Sequence, residues 1–466
     1  MFQYYMIPTF AIIALTVAYV ALSVLFAYTK SKKAALVSSI CLLVGVMFFS
    51  AIMASSPIEF TVANAFHAYP FSMFFIMVFS MLSILINILS YKYSSDYPVF
   101  SILFSFLFVG MFVVASANNL FSILLGLEIV SIPAAFMILH SGKKHIEAAV
   151  KFFILSAVSV AVLTFALALI FPYDLQMGLT FLAPNFQISG GYIIALALVF
   201  VIAALGFEMA VFPFNLWVPD VYEGAPSNVT ALLAGINKKI AFVALIEILF
   251  VIFINYTAEF SPMLVLLSIL TMFFGNLVAL SQSNVKRMFA YSSISQAGYI
   301  LIGLAAATTF GVEASIFQIV AHALMIIGVF AVIGWMESLN IKTVSDYTGL
   351  AGRNRFAAAA LTIFMVSLAG IPPLMGFVGK FLLFSSAVSA NLIPLAALGI
   401  LNSFISIYYF AKLINQMYTR KNSTTITIEP YAMAVALVAI ILIFLFGMYP
   451  QPLISLAHGA VVSLRS

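Results

Sequence analysis

Apolar residues run in stretches of about twenty, separated by short polar or basic connections, from one end of the chain to the other. A hydrocarbon core about 30 Å thick needs roughly twenty apolar residues per helical crossing. That window predicts fourteen spans, over 7–28, 34–54, 70–91, 97–116, 119–139, 146–171, 192–212, 226–255, 262–281, 286–308, 313–336, 357–387, 391–418 and 430–449. The predicted fold class is therefore an all-α polytopic membrane protein. No basic residue precedes the first span, and its apolar run is long enough to cross, so it is expected to be retained and not cleaved as a leader.

Two spans are interrupted. The seventh ends at Pro213 within Glu208-Met209-Ala210-Val211-Phe212-Pro213-Phe214. The twelfth carries Gly370-Ile371-Pro372-Pro373 in its middle, which removes backbone hydrogen bonds and breaks the helix. Non-helical backbone at membrane depth is tolerated only inside protein or along a water-filled cavity. The interruptions lie five spans apart, so spans 4–8 and 9–13 form two five-helix units. An odd number of crossings starts the second unit on the opposite side from the first, which is an inverted repeat, with paired broken helices 7 and 12 pointing to a transport path. The chain divides accordingly into residues 1–96 (three spans), 97–256 (first repeat), 257–418 (second repeat) and 419–466 (last span and tail).

Composition narrows the chemistry. Of 466 residues, 65% are hydrophobic and only 7% charged, whereas a soluble domain is about a quarter charged. The single cysteine, Cys41, excludes an intrachain disulfide, a CxxC redox pair and a cysteine-held iron–sulfur cluster. The five histidines are scattered, none at metal-ligand spacing. Gly376-Phe377-Val378-Gly379-Lys380 has only a superficial likeness to a phosphate loop, because the four-residue spacer and the following Ser/Thr are missing. With the N-terminus placed outside, one set of loops holds thirteen basic residues, among them Lys30, Lys92, Lys143, Lys286, Arg353 and Arg420. The other set holds only Arg465. That asymmetry satisfies the positive-inside rule and puts both termini on the outer side of the cytoplasmic membrane. The net charge of +5 is an orientation signal and implies no nucleic acid.

Apart from those at or near span ends, seven charged residues fall inside predicted spans: Glu128, Lys151, Glu208, Lys238, Lys239, Glu247 and Lys380. Each costs several kcal/mol at mid-bilayer. Lys412, near a helix end, snorkels to the surface. Lys238 lies about thirteen residues into its span, roughly 20 Å deep, and reads either as a proton carrier or as the partner of a structural carboxylate or carbonyl. Lys239 is turned 100° away, and Glu247, nine residues on, lies on the face opposite Lys238 and reads as an interface residue. Lys380 follows Pro373 by two turns and shares its face beside the break. It is a carrier on a water-lined interruption or a lysine solvated by freed carbonyls. Glu128 and Lys151, the latter one turn after Glu147, form a buried pair that either holds two helices together or opens and closes. His322 reads as a neutral relay between deep lysines or as a hydrogen-bonding strut.

Longer motifs carry a family resemblance. Phe212-Pro213-Phe214-Asn215-Leu216-Trp217-Val218-Pro219-Asp220-Val221-Tyr222-Glu223-Gly224-Ala225-Pro226 resembles the loop after the seventh helix in subunit N of respiratory complex I, the NADH-quinone oxidoreductase type. Gly275-Asn276-Leu277-Val278-Ala279-Leu280-Ser281-Gln282 with Val285-Lys286-Arg287-Met288-Phe289-Ala290-Tyr291-Ser292-Ser293-Ile294 is similar to the same family. So is Ser367-Leu368-Ala369-Gly370-Ile371-Pro372-Pro373 with Gly376-Phe377-Val378-Gly379-Lys380-Phe381. The likeness runs from about residue 118 to the end.

The resemblance implies an antiporter-like, proton-pumping membrane-arm subunit of a complex I-like quinone (or methanophenazine) reductase. It has two half-channels joined by a polar axis. It places the fifth-helix glutamate at Glu128, the sixth-helix lysine at Lys151, the central lysine at Lys238 and the twelfth-helix lysine at Lys380. Iron–sulfur clusters, flavin and quinone are expected in partner subunits and no cofactor in this chain, the partners being paralogous antiporter-like subunits and small membrane subunits. Two positions depart from the pattern: Glu208 stands where the family usually has a lysine, and Asn215 where a histidine is common. Two facing carboxylates at Glu128 and Glu208 are expected to be compensated by Lys151, to share a proton, or to hold a cation such as sodium. The expected proton path is Glu128, Lys151, Glu208, Lys238, His322 and Lys380. An Mrp-like cation/proton antiporter subunit and a non-pumping spacer are the alternatives.

Overall fold

The computed structural model describes residues 2–56, 59–62, 66–140, 145–173, 191–419 and 425–464. Lys143, Lys144, Arg420, Lys421 and Arg465, which contribute to the charge asymmetry, lie outside them. In chain order the elements are α1 Phe2–Tyr28, α2 Lys32–Ala54, β1 Phe60–Val62, β2 Phe66–Ala68, α3 Pro70–Tyr93, α4 Tyr97–Ala115, α5 Leu120–His140, α6 Ile146–Ile170 and α7 Gly191–Met209. They continue with α8 Trp217–Gly224, α9 Ser227–Leu232, α10 Lys238–Glu247, α11 Thr257–Ala279, α12 Val285–Ala305 and α13 Thr309–Glu337. The last are α14 Arg355–Ala369, α15 Met375–Ser389, α16 Ile393–Tyr418, α17 Pro430–Met448 and α18 Gln451–Ser463. Among the described residues twelve helices are long and apolar enough to cross a membrane, and α14 and α15 are shorter apolar helices. The chain is an all-α polytopic membrane protein.

Three predicted spans differ in detail. The seventh helix stops at Met209, four residues before Pro213, where Ala210 takes a left-handed backbone (φ 61°) and turns lead into α8. The eighth is segmented: α9 runs into a π-helical turn over Leu233–Asn237, and α10 into another over Ile248–Ile252. Apolar periodicity is blind to a single wide turn, which is why the sequence reads as one helix there. The twelfth is two helices, α14 and α15, separated at Gly370. The β1–β2 hairpin, α8 and α18 were not foreseen, being too short or too amphipathic to register as spans.

The chain forms two compact units. One comprises residues 1–209, 236–260 and 455–466. Within it α4 and α5 approach closely because glycines face the crossing. A Cβ on Gly110 would lie 2.8 Å from the Gly126 carbonyl oxygen, and one on Gly126 would lie 3.0 Å from the Val114 nitrogen. Small residues at such contacts let backbones meet where no hydrophobic force separates helix from lipid.

The other unit comprises residues 210–235 and 261–454. Helix α13 is its core, the whole of its apolar window being buried. The Asn284, Thr308 and Asn354 side chains cap α12, α13 and α14 by accepting backbone N–H groups of the first turn. The Gly376-to-Lys380 run is explained by packing: Cβ atoms at Gly376 and Gly379 would collide with the Ser367 carbonyl oxygen and Gln318 Oε1. These glycines seat α15.

Candidate functional site

In the first unit, Glu208 sits at the end of α7 and is 3% exposed. Its Oε1 accepts a hydrogen bond from the Ser156 hydroxyl on α6 at 2.7 Å, and one turn further out Ser159 Oγ donates to the Ala204 carbonyl at 2.7 Å. The two serines thus pin α6 against α7 along one face. Glu128 is half-buried on α5 and lies within electrostatic reach of Glu208. Lys151 pairs with Glu147 one turn back on α6 at 2.7 Å, its side chain 40% exposed. The burial expected of Lys151 is therefore corrected to a half-exposed position, because Lys151 lies only five residues into that helix.

Lys238 and Lys239 are fully buried at the start of α10, directly after the π turn. Wide turns of this kind open the backbone ladder and recur at functional sites. Asn237, the last residue of the turn, has neither amide atom hydrogen-bonded among the described residues. Nine residues on, Glu247 is equally buried and accepts from the Tyr69 hydroxyl at 3.0 Å, Tyr69 standing at the start of α3.

In the second unit, the break in the twelfth span builds the clearest geometry. Gly370 ends α14 with φ 87°, a left-handed conformation that only glycine adopts without strain. That turn leaves the Ala369 carbonyl without its helical partner, and Lys380 Nζ, one turn into α15, donates to it at 3.0 Å. A second bond goes to Ser403 Oγ on α16 at 3.2 Å, and the ammonium lies 4.5 Å from the centre of the Tyr299 ring. A buried cation is thus held by a carbonyl dipole, a hydroxyl and an aromatic face, with no carboxylate opposing it among these contacts.

His322 is buried midway along α13. One turn before it, Gln318 donates to Gln296 Oε1 at 2.9 Å, and Gln296 donates to the Leu368 carbonyl at 3.2 Å, beside the same helix end. Gln318, Gln296, Tyr299 and Ser403 were missed by the sequence reading. For Gln318 the signal available was its i, i+4 spacing from His322 on a mainly apolar helix.

The family-signature motifs also meet. Lys286 donates to the Ala225 carbonyl at 2.6 Å and pairs with Glu337 at 3.2 Å, while Arg287 Nη1 bridges Asp220 (2.8 Å) and Glu223 (2.9 Å). The α8 loop is thereby clamped onto the start of α12. Among the described residues no group of three or more histidine, cysteine or acidic side chains is arranged to hold a metal ion.

The model of the family "NADH:quinone oxidoreductase/Mrp antiporter, TM" matches residues 117–406. That match opens where the sequence likeness does and stops short of the C-terminus. The F(420)H(2) dehydrogenase subunit N of Methanosarcina mazei is 36% identical over 417 residues, 84% of each chain. The NADH-quinone oxidoreductase subunit N of Parvibaculum lavamentivorans is 36% identical over 370 residues, 76% of this chain and 75% of that one. Among solved structures, a chain of respiratory complex I from Thermus thermophilus superposes with a TM-score of 0.83 at 27% identity, covering 95% of this chain and 98% of that one. A chain of the Mrp complex from Dietzia sp. DQ12-45-1b shares the fold, with a TM-score of 0.89 at 22% identity over 97% of both. The chain belongs to the NADH:quinone oxidoreductase/Mrp antiporter membrane family, and within it to the subunit N type of complex I.

Proposed function

We propose that the chain is the proton-translocating membrane-arm subunit of a complex I-like quinone (or methanophenazine) reductase. Protons enter near Glu128, Lys151 and Glu208, pass Lys238 and His322, and leave near Lys380. Flavin, iron–sulfur clusters and quinone reside in partner subunits, which include paralogous antiporter-like chains, and the assembly sits in the cytoplasmic membrane with both termini of this chain outside. The observation that carries the reading is Lys380, buried at a helix break and held by groups that accept its protons without neutralising its charge. Two unit charges about 6 Å apart interact by about 3 kcal/mol at an effective dielectric of about 20. Redox events elsewhere in the assembly can therefore load or empty such a lysine through field changes alone. Replacing Lys238 by alanine in the assembled complex is expected to abolish most turnover-driven proton uptake in proteoliposomes. Undiminished pumping overturns the assignment.

The second reading is an Mrp-like sodium/proton antiporter subunit, favoured by the neighbouring carboxylates Glu128 and Glu208. It predicts sodium-dependent turnover that Glu208→Gln abolishes.

A further inference from the structure

A column of hydrogen bonds leads away from Lys380 through the second unit. Lys380 Nζ donates to Ser403 Oγ (3.2 Å), Ser403 Oγ to the Tyr299 hydroxyl (3.1 Å), and the Tyr299 hydroxyl to Asn402 Oδ1 (3.0 Å). From the other direction the Tyr409 hydroxyl donates to Asn276 Oδ1 (2.9 Å), and Asn276 Nδ2 donates to the same Asn402 Oδ1. Tyr299, Asn402, Asn276 and Tyr409 are all at most 2% exposed. Along α16 the column runs from residue 402 to 409, about 10 Å at 1.5 Å per residue, toward the helix end at Tyr418.

Such a column threatens a pump. Hydroxyls accept one proton while releasing another, so Ser403, Tyr299 and Tyr409 can each pass a proton on. A carboxamide keeps its N–H protons, and its oxygen only accepts. Here the two runs meet at two successive amides: Tyr409 donates to Asn276 Oδ1, while Tyr299 and Asn276 Nδ2 both donate to Asn402 Oδ1. A proton reaching it has no onward acceptor.

We propose that the Asn402–Asn276 pair is a proton insulator. It severs Lys380 from the Tyr418 end of α16, so that a proton loaded on Lys380 leaves only by the broken segment. This rests on Lys380 carrying a proton, as proposed above. The chemistry at stake is narrow. Leucines would also block the path but would strip the Tyr299 and Tyr409 hydroxyls of their partners, whereas aspartates at both positions have the same shape and would complete a conducting chain. The amide keeps the hydrogen bonds and withholds the proton.

The test is passive leak, read without turnover. The assembled complex is reconstituted in proteoliposomes holding a pH-sensitive dye, a pH gradient is imposed with the membrane potential clamped, and its decay is followed. The double variant Asn402→Asp/Asn276→Asp is expected to speed the decay severalfold, and adding Tyr299→Phe is expected to reverse the effect by cutting the column. Each single aspartate variant, with one amide still in the path, is expected to decay as wild type does. Asn402→Leu is expected to leak no faster than wild type. Wild-type decay in the assembled double-aspartate variant overturns the proposal, and so does a leucine variant that leaks as fast as the double-aspartate variant, since the fault would then be packing. Turnover-driven uptake is read separately, so failure of the pumping assignment shows there and not in the leak.

Discussion

Lys380 binds the carbonyl of Ala369, eleven residues earlier in the chain and on the other side of the break that divides its own span. The contact makes the interruption and the charge one device, because the carbonyl is available only where the helix has ended. Lys380→Met is expected to abolish turnover-driven proton release while the complex still assembles. Ser403→Ala removes a single hydrogen bond worth about 1 kcal/mol. It is expected to slow release without abolishing it, in the same proteoliposome assay.

Glu208 is buried and held by the Ser156 hydroxyl. Glutamine keeps an oxygen for the Ser156 hydroxyl, so Glu208→Gln is expected to assemble normally. On the proposed path it removes a group that takes up a proton, so uptake should fall by at least about tenfold. Glu208→Lys is expected to be tolerated, because a cation beside Glu128 relieves two neighbouring carboxylates. Subunit content by mass spectrometry and uptake kinetics together check both outcomes.

Lys286 and Arg287 are neighbours with unequal stakes. The Lys286 side chain is 6% exposed and Glu337 beside it 28%, so Lys286→Met leaves a largely buried carboxylate without its cation and is expected to cost about 3 kcal/mol. Arg287 and its two partners are 29–41% exposed, and Arg287→Ala is expected to cost about 1 kcal/mol or less. Thermal unfolding of the two variants should separate them clearly, and equal losses would contradict the burial argument.

Tyr69 joins a titrating histidine to a buried carboxylate. Its ring stacks on His67 at 4.4 Å, and its hydroxyl is the hydrogen-bond donor to Glu247. Burial holds the His67 imidazole below its ordinary range, with Glu59 at 3.5 Å pulling the other way. A depressed histidine contributes stability above the unfolded value of about 6.5, and that contribution is lost as pH falls through the folded one. His67→Gln should therefore flatten the fall in melting temperature between neutral and mildly acidic pH. Tyr69→Phe should cost about 2 kcal/mol at any pH by stripping Glu247 of that donor.

How much of this was legible beforehand follows from what each signal measures. Span positions were readable because hydropathy over twenty residues averages out local irregularity. The same averaging hid the π turns at Leu233–Asn237 and Ile248–Ile252, since a wide turn changes hydrogen bonding and leaves composition alone. Lys380 and Gly370-Ile371-Pro372-Pro373 announced themselves by cost, as charge and helix breakers where neither is cheap. Ser403, Tyr299, Asn402 and Gln318 are ordinary residues for a membrane helix, and their role arises only from which helices meet. Lys151 read as buried because it lies inside a predicted span, yet the helix surface it occupies is half-open.

Gly370 bears on how such sites drift over evolutionary time. The group that steadies the Lys380 ammonium from α14 belongs to the main chain, so any residue that keeps the helix end can stand at position 369 without touching the chemistry. The constraint has moved one residue along. A Cβ at position 370 would meet the Lys380 side chain at 2.8 Å and would sit on a left-handed backbone. The residue that leaves room for the lysine is therefore one with no polar atom in its side chain, and a search for invariant polar partners would pass over it.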